Sequence, residues 1–277
     1  MKRFYLTLAA TVLISGSVQA ADIGRDVRRG SNGPDYSNGG YLEFGIGVTL
    51  RDYDRDSRSQ APLGFNINLA GAYRYKRFFF ESSYGSDGLT LGYSAWNNDR
   101  WAIDLIGSSA KGFIAPGETD IDYANSSDAE RELAVLDRNT FYNGAGVRVT
   151  GYFGNTIFQY RLVSDIHKNN GVTSSVRLGY SRQLRNWNFH SVVSANYASR
   201  KTSQYWYGVS EEEASERFPK NNIGTTIKYV GEVGVTYPVT EKIVFRSTAF
   251  YQKIDEKMAI KGNQLNGTVN ATISYVF

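Results

Sequence analysis

TVNATISYVF, residues 268–277, alternates through Tyr275: Val269, Ala271, Ile273, Tyr275 and Phe277 share one side, and Thr268, Asn270, Thr272 and Ser274 share the other. Successive side chains of a β-strand point to opposite faces, so a period of two predicts a strand with one apolar and one polar face. The same pattern runs back through the chain. In LEFGIGVTL the apolar set is Leu42, Phe44, Ile46, Val48 and Leu50. In FNINLAGAYRY it is Phe65, Ile67, Leu69, Tyr73 and Tyr75, opposite Asn66, Asn68 and Arg74. Twelve strands are expected: 41–51, 63–75, 77–84, 88–95, 100–109, 139–152, 155–165, 172–183, 187–198, 224–237, 241–252 and 267–277.

The connections decide how twelve such strands assemble. After the even strands they are tight: Lys76, NND at 97–99, FGN at 153–155, LRN at 184–186 and PVTE at 238–241. After the odd strands they are mostly long and polar, at 52–62, 110–138, 166–171, 199–223 and 253–266, with GSDG at 85–88 the short exception. Short turns at one end and long loops at the other describe a transmembrane antiparallel β-barrel with periplasmic turns and external loops. An even strand count places both termini in the periplasm.

A soluble β-sandwich would also alternate, but its polar face would be its outer one. Here the broad face is apolar, with Tyr, Phe and Trp near strand ends, as interfacial girdles require. The narrow face carries Glu43, Arg74, Glu81, Asp104, Arg148, Arg161, Arg177 and Arg246. Charges so spaced do not suit a dry sandwich core. They suit a wet lumen, while a closed sheet satisfies every backbone group in lipid. Twelve tilted strands enclose a cylinder about 24 Å across between backbones, narrowed by side chains to about 10–14 Å. The excess of arginine in the lumen set favours anionic solutes if the pore is open.

The ends of the chain carry address signals. Residues 1–20 read as a secretory signal peptide: Lys2 and Arg3, then the apolar run Phe4 to Ile14, then SVQA, with cleavage after Ala20. Residues 21–40 form a polar periplasmic tail with Arg25, Arg28 and Arg29 clustered, and 41–277 form the barrel. The terminal ISYVF, with Tyr275 and Phe277 on one face, resembles the signal that hands outer-membrane proteins to the barrel-assembly machinery of Gram-negative bacteria. The surrounding lipid and lipopolysaccharide are then expected partners.

Composition narrows the chemistry. The formal charge of +4 falls to +2 without Lys2 and Arg3, which is no footprint for nucleic acid. There is no cysteine and there are two histidines, so disulfides and zinc are not expected. His167 falls in a loop. His190 is followed by Ser191 on the opposite face and then Val192, which fails the His and Ser pairing of outer-membrane phospholipases. Asp52, Asp54 and Asp56 begin like a calcium loop, but Ser57 and Leu63 stand where glycine and glutamate are needed. No cofactor, metal or catalytic residue is expected.

Two loops carry capping boxes, Ser127 before Glu130 and Ser210 before Glu213. A short helix is expected to start at Ser210, with Glu211, Glu212 and Glu213 in its first turn, where the helix dipole favours negative charge. The aromatics before it, Tyr205, Trp206 and Tyr207, are expected to anchor the loop over the outer mouth. The whole segment YWYGVSEEEA, Tyr205 to Ala214, resembles a motif of the MipA/OmpV family: aromatics, then Gly208, Val209, Ser210, Glu213 and Ala214. LGYSAWNNDRWAIDLIG at 91–107 and DRNTFYNGAGVRV at 137–149 support the resemblance. It implies a non-enzymatic outer-membrane barrel that acts as a scaffold. Its implied partners are a lytic murein transglycosylase and a bifunctional penicillin-binding protein. A channel, receptor or adhesin is the other role it implies. With the 205–214 motif outside the cell, periplasmic docking falls to the tail around Arg25, Arg28 and Arg29.

Overall fold

The computed structural model describes residues 38–51, 63–82, 89–111, 141–166, 171–214, 219–253 and 265–277. Twelve antiparallel strands run in order as β1 (Gly39–Arg51), β2 (Leu63–Tyr75), β3 (Phe78–Ser82), β4 (Leu89–Asn97), β5 (Trp101–Lys111) and β6 (Phe141–Phe153), followed by β7 (Thr156–Asp165), β8 (Val172–Leu184), β9 (Trp187–Ala198), β10 (Thr226–Pro238), β11 (Ile243–Lys253) and β12 (Leu265–Val276). Each pairs with its neighbours in sequence, and β12 closes on β1 from Glu43↔Val276 to Arg51↔Thr268. Closure leaves no unpaired sheet edge.

The turns after even strands are as tight as the sequence predicts. Lys76 and Arg185 adopt positive φ, 56° and 54°, so that two-residue turns match the strand twist. Asn38 Oδ1 accepts a hydrogen bond from the Lys76 amide at 2.5 Å. Asn98 Oδ1 does the same for Arg100 and Trp101, closing the β4–β5 turn. A register shift between Ser94 and Trp96 bends β4. Of the long connections, 52–62, 112–140 and 254–264 lie outside the described residues.

Alternation sorts the side chains as expected. Phe65 is 89% exposed and Ile67 75%, and Ile46, Leu91, Leu105, Val193, Val233 and Ile273 are also exposed. A continuous apolar surface of this kind is untenable in water and marks a lipid-facing wall. Aromatics crowd the short-turn end of that wall. Phe78 meets Tyr93 at 5.1 Å, Trp101 meets Phe153 at 5.3 Å and Trp187 meets Tyr237 at 4.6 Å between ring centres. These are the members of an interfacial girdle. Tyr275 and Phe277 belong to it, 4.8 Å apart and outward, and the Phe277 amide donates to the Leu42 carbonyl.

Candidate functional site

The interior of the barrel concentrates every polar residue that the alternation points inward. Cross-strand register makes them one structure: Ser94, Asp104, Arg148, Arg161, Ser175, Asn196 and Lys228 stand opposite one another in a single row from β4 to β10. Arg148 is its centre. Nη1 donates to Glu81 Oε2 at 2.8 Å, while Nε and Nη2 both donate to Asp104 Oδ2, at 3.1 and 3.0 Å. Arg74 Nη1 donates to Ser94 Oγ at 3.0 Å, and Ser94 Oγ donates to Asp104 Oδ1 at 2.9 Å. The forked guanidinium holds two carboxylates from two other strands, which is the geometry arginine provides and lysine does not.

Phe79 completes the cluster from below. Its ring lies 5.1 Å from the Arg74 guanidinium carbon and 4.9 Å from that of Arg148, close enough for cation–π attraction. The ring fits because Gly92 opposite has no side chain, and a Cβ there would collide with it. Arg148 is 1% exposed, Asp104 0% and Glu81 4%, so this part of the lumen is packed rather than wet. That differs from the water-lined interior expected of such charges. Mutual neutralisation at hydrogen-bond distance is what permits it, since an unpaired buried charge is far costlier than a paired one.

The opposite wall is looser. Inward-facing Val192, Ser194 and Asn196 on β9, Val230 on β10, and Thr268, Asn270 and Thr272 on β12 are half-buried. So is the inward set of β11, Val244, Arg246, Thr248 and Phe250. Arg246 Nη1 donates to Glu43 Oε1 on β1, and Thr49 Oγ1 donates to Asn270 Oδ1 at 2.6 Å. His190 Nε2 lies 3.2 Å from Glu232 Oε1, with its ring over Gly234. Ser191, next in sequence, is on the lipid side, opposite Val233 and Tyr180. Among the described residues there is no group of three or more His, Asp or Glu that could hold a metal ion.

The described part of the β9–β10 connection is built over the β8–β10 end of the barrel. A helix, α1 (Arg200–Tyr207), follows β9 after Ser199. Thr202 and Ser203 are buried, and the Ser203 and Thr226 hydroxyls are 2.8 Å apart, tying α1 to the inner face of β10. Gln204 clamps the returning chain: Nε2 donates to the Asn221 carbonyl at 3.2 Å, and Oε1 accepts from the Ile223 amide at 2.7 Å. Val209 and Asn221 exchange backbone hydrogen bonds at 3.0 Å, with Gly208, Val209 and Ile223 buried between.

The helix therefore stands one element earlier than the sequence predicts. Tyr205, Trp206 and Tyr207 are its last turn. Ser210 opens only a turn over 211–213, in which Glu213 Oε2 accepts from the Ser210 amide at 2.9 Å. That bond is half of the anticipated capping box, formed without the helix. Glu211 and Glu212 are exposed, and Glu211 pairs with Lys220 at 2.6 Å.

All eight lumen residues expected from the sequence face inward: Glu43, Arg74, Glu81, Asp104, Arg148, Arg161 and Arg177 are buried, and Arg246 is half-buried. Arg161 reaches Ser108 across β6, with Nη2 donating to Oγ at 3.1 Å. Phe79, Ser94, Lys228 and Glu232 were not anticipated. Arg25, Arg28 and Arg29, the segment 1–37, His167 and the aspartates at 52–56 lie outside the described residues.

No curated protein matches the sequence. Among solved structures, the NanC porin is 9% identical at a TM-score of 0.44, over 84% of this chain and 98% of its own. OmpT of Vibrio cholerae is 8% identical at 0.40, over 87% and 99%. The COG4313 outer membrane channel of Pseudomonas putida F1 is 12% identical at 0.38, over 90% and 98%. The family pattern described as MltA-interacting protein MipA matches residues 44–277, from within β1 to the last residue, and the chain belongs to that family of outer-membrane barrels.

Proposed function

We propose that the protein is a non-enzymatic interaction protein that presents the barrel as a platform for murein enzymes at the outer membrane. Membership of a family named for binding MltA, a murein transglycosylase, over the whole barrel is the observation that carries this reading. The packed Arg148 cluster supports it, because a wall locked by paired charges suits a rigid platform. Docking falls to the periplasmic side: the short turns and the tail at 21–40 with Arg25, Arg28 and Arg29. A bifunctional penicillin-binding protein is the second partner in this reading. Export by the 1–20 segment and recognition of Tyr275 and Phe277 by the barrel-assembly machinery belong to it too. Deletion of 22–38 is expected to leave barrel assembly intact and abolish pull-down of the transglycosylase. Unchanged pull-down would move docking off the tail, and a wild-type barrel that retains no murein enzyme would end the scaffold reading.

A second reading has its own support. The half-buried inward residues of β9, β11 and β12 offer a path for a small solute beside the packed cluster. In a planar bilayer, stable openings with anion preference would favour this channel, and a silent barrel would favour the scaffold.

A further inference from the structure

The lipid-facing wall has a concave place among its described residues. Two adjacent outward rows cross β9 to β1 there. The first runs Ser191, Val233, Ala249, Val269 and Leu50, and the second Val193, Gly231, Tyr251 and Gly267. Ser191, Gly231, Ala249 and Gly267 have little or no side chain, while Leu50, Val193, Val233, Tyr251 and Val269 stand up around them. The result is a groove of about 690 Å³. A Cβ added at Gly231 or Gly267 would meet nothing closer than 4.0 and 3.8 Å. The floor is therefore open space, with no structural reason for glycine at either position.

Two features place and charge the groove. Its floor begins at mid-wall on β9 and β10 and runs on β11, β12 and β1 toward the long connections, which is the outer-leaflet side in the orientation argued from the turns. The next outward row toward that end pairs Tyr229 with Lys253, both exposed. An ammonium and a phenol at the membrane surface, directly above an apolar slot, match an anionic headgroup on acyl chains.

We propose that this groove holds one acyl chain of lipid A, the phosphorylated anchor of lipopolysaccharide, with a lipid A phosphate on Lys253. Charge complementarity at Lys253 and continuity with the lipid-facing wall select this occupant. A second copy of the barrel fits less well, because the nine outward residues of the groove fall short of the roughly 20–30 a side of a standard protein interface.

The test uses the full-length protein in detergent, with purified lipid A or phosphatidylethanolamine added, and bound lipid counted by native mass spectrometry. Gel mobility before and after heating confirms that each variant is folded. Lys253→Glu is expected to lower lipid A occupancy several-fold and leave phosphatidylethanolamine unchanged. Gly231→Leu with Gly267→Leu is expected to lower lipid A occupancy further by filling the slot. Gly107→Leu, at another outward glycine with open space around it, is expected to change nothing. Equal lipid A occupancy in the wild type and in Lys253→Glu would overturn the assignment. So would equal binding of the two lipids by the wild type, or a cross-linked dimer lost on filling the groove.

Discussion

One barrel has two inner walls built on different principles. From β2 to β6 the lumen is closed by charge: Arg148 holds Glu81 and Asp104, and Arg74 holds Ser94, with Phe79 beneath both guanidiniums. On β11, on most of β12 and on the later half of β9 the inward residues are mostly neutral and half-buried, and the ion pair from Arg246 reaches to β1. Lumen charge alone does not define a channel. Charges that meet their partners remove space, and hydroxyls that do not meet across the lumen leave it.

Removing Arg148, the centre of the charged wall, should have the largest effect. Arg148→Leu leaves Glu81 and Asp104 buried without their cation, and should cost about 3–5 kcal/mol in urea unfolding from lipid vesicles. Replacing all three with apolar residues should recover most of that loss, because a fully apolar substitute avoids the desolvation penalty. No recovery would mean that the cluster positions something besides itself. Next in size, Gly92→Ala should force the Phe79 ring out of place, at about 1–3 kcal/mol in the same measurement. Thr90→Trp, on the packed wall, should cost a similar amount by overpacking and leave conductance unchanged.

Gln204→Ala removes both hydrogen bonds of the clamp on residues 221 and 223. It should destabilise the loop by roughly 1–2 kcal/mol, read as faster limited proteolysis within 199–225 with the barrel still folded. The smallest effect on stability, within about 0.5 kcal/mol, is expected from Thr248→Trp on the open wall. It sharpens the comparison most for function: if solute passes there, single-channel conductance should fall roughly two-fold or more. Unchanged conductance in a conducting barrel would place the path elsewhere.

The strands were legible because side-chain parity is a local property. The ranges expected for β2 and β9, 63–75 and 187–198, are the observed ones, and the other strand ends differ by a few residues. The eight inward charges were legible for the same reason. Their partners were not, because which residue of β5 faces which residue of β6 depends on register, and no single strand encodes it. Phe79 was hidden inside Phe78, Phe79 and Phe80, where every position is aromatic and parity leaves no trace. The loop helix was misplaced because Ser210 and Glu213 offered a strong local start signal. RKTSQYWY, by contrast, has no apolar stripe, and α1 is held by Ser203 and Gln204 contacts to residues 221, 223 and 226 that lie far along the chain.

The ion pair between Glu43 and Arg246 joins residues 203 positions apart. Glu43 stands near the start of the sheet in chain order and Arg246 near its end, and β12 must lie between them before their side chains can meet across it. The contact therefore cannot assist early events and can only reward completion. Contacts of such long separation form late because their loop-closure cost is highest. Until then Glu43 is a buried-type carboxylate with no counter-charge. A barrel that lacks its final strands therefore carries that penalty in its own wall.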